Sequence, residues 1–281
     1  MKHAGTGDTC EKGKVMVFLR MSFRDLCIVT VSLPLISLLI CFVTAYVFQY
    51  DDIHETHCRV YNIIPSISAV TGVSPQRYLW RISVALHMGP RIAIALVSKT
   101  FYDNLVINYK GQESSRAKIL NTLCHWLNCI EIAALCGVTY ISNRENYPLH
   151  EKIFIVFMIC SLCHMLTEIK LRETVCEQTE DEQKSIKIKK ILFYTSIITT
   201  VGLVVFFMKH RLLCHDMAFS WFALCEYVIA FANMVFHVTV IKDFPMEQLI
   251  VTQWDNSLDK EKNCKEQINH NSVKANIGKL N

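Results

Sequence analysis

The sequence contains no Asn-x-Ser/Thr acceptor, no G-x-S-x-G elbow, no P-loop and no H-E-x-x-H helix. Those absences disfavour N-glycosylation, an elbow-type serine hydrolase, a nucleoside triphosphatase and a zincin. No internal repeat or second domain is visible, and without an inverted repeat a proton-coupled transporter is a weak reading. A cleavable leader is not expected, because a polar preamble precedes a first apolar run already long enough to span a bilayer. Net charge is only +4, and the basic residues sit near the ends of apolar runs. That is the pattern of membrane topology determinants; no nucleic-acid partner is expected.

What is present is apolar length. Of the 281 residues, 52% are hydrophobic, too many for an ordinary soluble domain. Six spans are expected, near 26–48, 78–97, 119–141, 153–169, 191–208 and 217–241, each close to the ~20 residues a hydrocarbon core requires. The expected fold class is all-α, a polytopic bundle of six transmembrane helices over residues 26–242. A segment at 1–25 precedes it, and a polar tail at 243–281, expected to be disordered, follows. The N-terminal segment and the second and fourth connections hold fifteen Lys and Arg and the other three connections six, so both termini are expected in the cytosol. The first luminal connection, 49–77, is the longest. Its Pro/Ser/Gly-rich part from Pro65 to Pro75 predicts irregular backbone, either capping a cavity or lying solvated over the membrane. Only Cys58 and Cys214 of the 13 cysteines fall in luminal loops, which makes them candidates for a disulfide in an oxidising compartment.

The informative residues are the ionisable ones inside the spans. The second span, YLWRISVALHMGPRIAIALV, carries Arg81, His87 and Arg91, with Pro90 freeing the carbonyl of Leu86. His87 and Arg91 are four apart and share a face. The third span carries Asn121, His125, Asn128 and Glu131, the fourth His164 and Glu168, the sixth Glu226, Asn233 and His237. At ~1.5 Å per residue, His87, Glu131 and Glu226 lie about 13–15 Å below the luminal edge and His164 about 18 Å. Arg91, Glu168, Asn233 and His125 lie deeper. For any single residue a structural polar network is the simpler reading. For groups from four spans at matching depth, a substrate or proton path gains weight. The run Cys160-Ser161-Leu162-Cys163-His164 matches c-type haem attachment, but it falls mid-span, where small residues serve packing. Neither haem nor metal is expected.

Four stretches carry a resemblance: HCRVYNIIPSISAVTG (57–72), PQRYLWRISVALHMGPR (75–91), LHEKIFIVFMICSLCHML (149–166) and EYVIAFANMVFHVTVIKDF (226–244). In these the chain resembles the post-GPI-attachment-to-proteins factor 2 family, in the wider Frag/DRAM/Sfk group of six-span proteins. The resemblance implies a part in maturing glycosylphosphatidylinositol (GPI) anchors in the Golgi membrane, the endoplasmic reticulum being the other location. There a lyso-GPI that has lost its unsaturated sn-2 chain is reacylated with a saturated one, before GPI-anchored proteins reach the surface. Carried over by position are Arg81, His87, Arg91, His164, Glu226, Asn233 and His237; Glu131 lies outside the matching stretches.

Two readings follow. In the first the chain is itself the O-acyltransferase. His87 or His164 acts as general base toward the sn-2 hydroxyl, Glu131 or Glu226 orients it, and Arg81, Arg91, Asn233 and His237 bind lipid or phosphate. No bound cofactor is expected; the acyl donor is acyl-CoA or a phospholipid. In the second the chain is a non-catalytic lyso-GPI-binding or scaffolding factor whose partner is a separate acyltransferase.

Overall fold

The computed structural model describes residues 17–56, 58–108, 115–176, 179–244 and 248–252. It divides into two compact units, Phe23–Pro245 and a smaller one of the flanking residues. In the smaller unit β1 (Val17–Ser22) pairs antiparallel with β2 (Gln248–Thr252), Ser22 opposite Gln248 and Arg20 opposite Ile250. The tail was expected to be without structure; these five of its residues form a strand. Leu249, Ile250, Val251 and Thr252 make a short β-branched, apolar run that suits a pleated ladder. Residues 1–16 and 253–281 of the expected terminal segments lie outside the described residues.

The larger unit is a helical bundle. Its elements are α1 (Phe23–Phe48), the short α2 (Tyr50–His54) and α3 (Ile67–Gly72), then α4 (Gln76–Asn108), α5 (Ser115–Tyr140) and α6 (Tyr147–Val175). Next come α7 (Glu180–Leu213), α8 (Ala218–Val238) and α9 (Val240–Asp243), the last continuing α8 past Thr239. Six of these rods are long and apolar enough to cross a membrane. The chain is a multi-pass membrane protein. The rods overrun the apolar windows because hydropathy detects only the hydrocarbon-facing part. At its start α7 runs 11 residues beyond the expected span, capped by the Thr179 hydroxyl on the Glu182 N–H, with Glu180, Asp181 and Glu182 in its first turn.

Each long helix packs on its chain neighbours, and α8 returns to α1, closing a ring. Outward faces are apolar, as with Ile198, Val201 and Val204 on α7, whereas Arg91, Glu131, Lys189 and Arg172 are buried. Lipid replaces water outside, so helix association rests on packing and interior hydrogen bonds.

One end of the bundle is marked by a disulfide between Cys58 and Cys214, 156 residues apart in sequence. Cys214 closes α7 in the left-handed conformation (φ 47°) usually taken by glycine. The loop between α1 and α4 is stitched to α8 at this end: the Met217 N–H donates to the Tyr61 carbonyl, and the Ile63 N–H to the Ser220 hydroxyl. Thus α3, capped by Ser66, lies across the bundle against α1, α4 and α8. The irregular loop is a built plug.

Candidate functional site

Mid-bundle polarity centres on Glu131 of α5, which is fully buried. Its Oε1 accepts from Arg91 Nη2 at 2.7 Å and from Asn233 Nδ2 at 2.8 Å. Asn233 also donates to the Ser161 hydroxyl at 2.7 Å. Arg91 Nη2 lies 2.5 Å from His237 Nε2. That ring nitrogen also lies 3.2 Å from Glu131 Oε1. His164 stacks on His237, its Nδ1 3.2 Å from Glu131 Oε2 and its Nε2 3.5 Å from Glu168 Oε2. Ligand atoms of Glu131, His164 and His237 all lie within 4.8 Å of one another. Yet Arg91 already bridges Glu131 and His237, placing its positive charge where a metal ion would sit. Within the Cys160–His164 run, Ser161 and His164 point inward while Cys163 is exposed, so the run offers no common centre.

Nearer the disulfide end lies a cavity of about 120 Å³, lined by His87, Arg91, Thr71, Trp80, Glu226 and Asn233 among others. His87 is oriented by an irregularity in α1. Pro34 has no N–H, so the carbonyl four residues back, that of Thr30, loses its helical partner. His87 Nδ1 donates to it at 2.6 Å. That fixes the tautomer and leaves Nε2 as a buried lone pair without a hydrogen-bond partner. One turn along, Arg91 Nε is likewise a buried donor without a partner. His87 and Arg91 thus line one cavity from one face of α4, each with a buried nitrogen that has no hydrogen-bond partner.

A second cavity of about 370 Å³, between α6, α7 and α8, is mostly apolar, with Phe154, Leu203, Phe207 and Phe222 in its wall. Its volume lies within the ~300–1,000 Å³ of small-molecule sites. The two cavities share Ser68, His150, Phe154, Met158 and Glu226. At that junction His150 Nδ1 donates to the Ile141 carbonyl at 2.7 Å, and its Nε2 lies 2.9 Å from the Ser68 hydroxyl. Glu226 Oε2 accepts the Ile67 N–H at 2.9 Å and so holds the first turn of α3.

At the opposite end a second buried lattice ties α6, α7 and α9. Lys189 reaches Glu168 Oε1 (2.8 Å), Asp243 Oδ2 (3.0 Å) and the Thr239 hydroxyl (2.6 Å). Arg172 reaches Glu182, Asp243 and the Tyr102 hydroxyl. The buried charges are paired, as a low-dielectric interior requires.

Residues 22–247 match the family model described as the Frag1/DRAM/Sfk1/Cwh43P N-terminal domain. The chain is 59% identical over 246 residues to Post-GPI attachment to proteins factor 2-like of Drosophila melanogaster, covering 86% of this chain and 76% of that one. The chain belongs to the post-GPI attachment to proteins factor 2 family. Within that family it is also similar to Acyltransferase PGAP2 of Xenopus tropicalis, 32% identical over 86% of this chain and 94% of the relative. A protein of the same name from Danio rerio is 35% identical over 70% and 84%. No solved structure matches the chain.

For this member of the factor 2 family, the sequence-derived residues divide into three groups. Arg91, Glu131, His164, Asn233 and His237 come together in one network. His87 and Glu226 leave it for the cavities, where Arg91 and Asn233 join them. Arg81 joins neither: its Nη2 is 2.5 Å from Glu145 Oε2 and 2.8 Å from the Tyr140 carbonyl, at the mouth of α5. Arg81, for which the sequence suggested a phosphate, has the Glu145 carboxylate as its partner in this structure. Glu145, in the loop beyond α5, is held below the usual carboxylate range, first by the Ser142 N–H and hydroxyl and then by Arg81. Ser68 and His150 were not singled out from sequence, although both fall inside stretches that carry the family resemblance. Arg172 and Lys189, which fall outside the expected spans, are buried ion-pair partners.

Proposed function

We propose that the chain is an acyltransferase of GPI-anchor remodelling that returns a saturated acyl chain to the sn-2 hydroxyl of lyso-GPI. The relatives named Acyltransferase PGAP2 and Post-GPI attachment to proteins factor 2 support the reaction class and the pathway. The observation that carries the reading is a pair of adjoining cavities that share five lining residues. One is apolar and large enough for an acyl chain; the other is lined by His87 and Arg91, whose Nε2 and Nε have no hydrogen-bond partner. In this reading His87 Nε2 accepts a hydrogen bond from a lyso-GPI hydroxyl, and Arg91 Nε donates to an ester or phosphate oxygen of the lipid. Glu226 positions α3, while Glu131, His164, Asn233 and His237 hold α4, α5, α6 and α8 in register around Arg91. Arg81 acts with Glu145 as a structural clasp. The donor is acyl-CoA or a phospholipid, and no bound cofactor is needed. Both termini face the cytosol and the disulfide end faces the Golgi lumen, a placement supported by the Lys/Arg count and by where disulfides persist.

The test is purified protein in liposomes with lyso-GPI and a labelled donor of either kind. Transfer is expected, and His87→Ala is expected to lower it roughly 10²-fold, the lower end for a group that handles a reacting proton or hydroxyl. Binding of lyso-GPI with no transfer from either donor would select the scaffolding reading instead.

A further inference from the structure

We infer that the acyl chain is carried as an ester on Ser68, with His150 as its base. This deepens the acyl-transfer reading and rests on it. Three features of the cavity junction lead there. His150 Nδ1 donates to the Ile141 carbonyl, an acceptor that cannot donate, so in the neutral ring Nε2 bears the lone pair. The Ser68 hydroxyl, 2.9 Å away, is then the donor to that nitrogen. Nucleophile, base and orienting acceptor stand in the order a serine nucleophile needs, with a backbone carbonyl in the place of the usual carboxylate. Finally, the pair faces free space on both sides. Ser68 and His150 line the 370 Å³ apolar cavity and the 120 Å³ cavity of His87 and Arg91. α3 is held to α8 separately, by Glu226 on the Ile67 N–H, and the loop before it by Ser220 on the Ile63 N–H.

The chemistry balances without a further reagent. Ser68 Oγ attacks the carbonyl carbon of the donor's acyl ester while His150 Nε2 takes the hydroxyl proton. The donor's C–O bond breaks, and its departing oxygen takes that proton from His150, leaving acyl-Ser68 in the apolar cavity. A thioester donor follows the same course with sulfur departing. The sn-2 hydroxyl of lyso-GPI, held in the neighbouring cavity, then attacks the Ser68 ester. Its proton passes to His150 Nε2 and on to Ser68 Oγ as that bond breaks. One ester is broken and one formed.

The experiment incubates the purified full chain in liposomes with a phospholipid bearing a labelled acyl chain, or with labelled acyl-CoA, before any lyso-GPI is added. Intact mass and peptide mapping are expected to find one acyl group on the peptide containing Ser68, discharged when lyso-GPI is supplied. Ser68→Ala should lose both adduct and transfer, the latter by at least roughly 10²-fold. Ser68→Cys, which keeps size and a nucleophile, should accumulate a thioester cleaved by neutral hydroxylamine, and thereby show that the fold tolerates change at this position. His150→Ala should lose the adduct in the serine form and recover part of it in the Ser68→Cys background, because a thiol needs less help from a base. Wild-type transfer with no adduct, together with full transfer by Ser68→Ala, would overturn the Ser68 assignment and leave the acyltransferase reading standing. An adduct that lyso-GPI cannot discharge would support Ser68 and overturn lyso-GPI as acceptor. Neither adduct nor transfer from either donor would overturn both.

Discussion

At the scale of single residues, the site depends on a proline 53 positions away from the histidine it serves. Pro34 leaves the Thr30 carbonyl open, His87 Nδ1 closes it, and Nε2 is left as an unpartnered lone pair on a residue that lines the cavity. Pro34→Ala would restore an N–H for Thr30 within α1 and take that acceptor from His87. The helix should gain a hydrogen bond, so thermal stability in detergent should hold or rise. Transfer should nevertheless fall roughly tenfold, since one hydrogen bond is worth about 0.5–1.5 kcal/mol and ~1.4 kcal/mol is a factor of ten. Unchanged transfer in the variant would mean that His87 is oriented by something else. Of this arrangement the sequence displayed only the local part. His87 and Arg91 share a face by spacing alone, as do Asn233 and His237. The Thr30–His87 and Ser68–His150 contacts join elements 57 and 82 residues apart. No periodicity records them, because they depend on how the loop before α4 folds back.

At the scale of elements, α3 and α7 set the size of what the cavities accept. The sixth, seventh and eighth helices form the wall of the larger cavity, and α3 closes its junction with the smaller one. Leu203 projects from α7 into that wall, away from Ser68 and His150 in sequence and in role. Leu203→Trp should fill space that the acyl chain would use. Overpacking of a solid core costs about 1–3 kcal/mol, whereas a side chain that enters an empty cavity should cost less. The expected result is a modest change in thermal stability with a loss of transfer that grows with donor chain length. Equal loss for short and long chains, or none, would separate this cavity from acyl binding. The six membrane helices were legible beforehand because each carries its own apolar run. The role of α3 was not legible. Its Pro/Ser/Gly-rich surroundings fit a solvated loop equally well, and only the bonds to Ser220 and Glu226 reveal a plug. The charged end of α6 and start of α7 misled in the opposite direction: Arg172 and Lys189 look like loop charges until Asp243, Glu168 and Glu182 are seen to meet them.

Across the whole molecule the polar interior is layered. The cavities occupy the disulfide half, the Glu131 network lies in the middle, and the Arg172–Lys189–Asp243 lattice fills the half where α1 begins and α9 ends. The two lower layers consist largely of side chains committed to one another, with carboxylates facing Arg91, Lys189 and Arg172, and breaking one such buried pair costs about 3–5 kcal/mol. A donor reaching Ser68 from the lattice side would have to disrupt both layers; one entering beside α7 from the bilayer would disrupt neither. The layering therefore favours a membrane phospholipid as donor over a water-soluble thioester supplied on the lattice side. Protein reconstituted in one orientation, with tags at its termini exposed outside sealed liposomes, distinguishes the two. Labelled phospholipid within the bilayer should support transfer to lyso-GPI, while acyl-CoA added outside should not until the vesicles are permeabilised. Transfer from outside acyl-CoA in intact vesicles would mean that the two lower layers open during turnover, and that the buried ion pairs are a gate and not a floor.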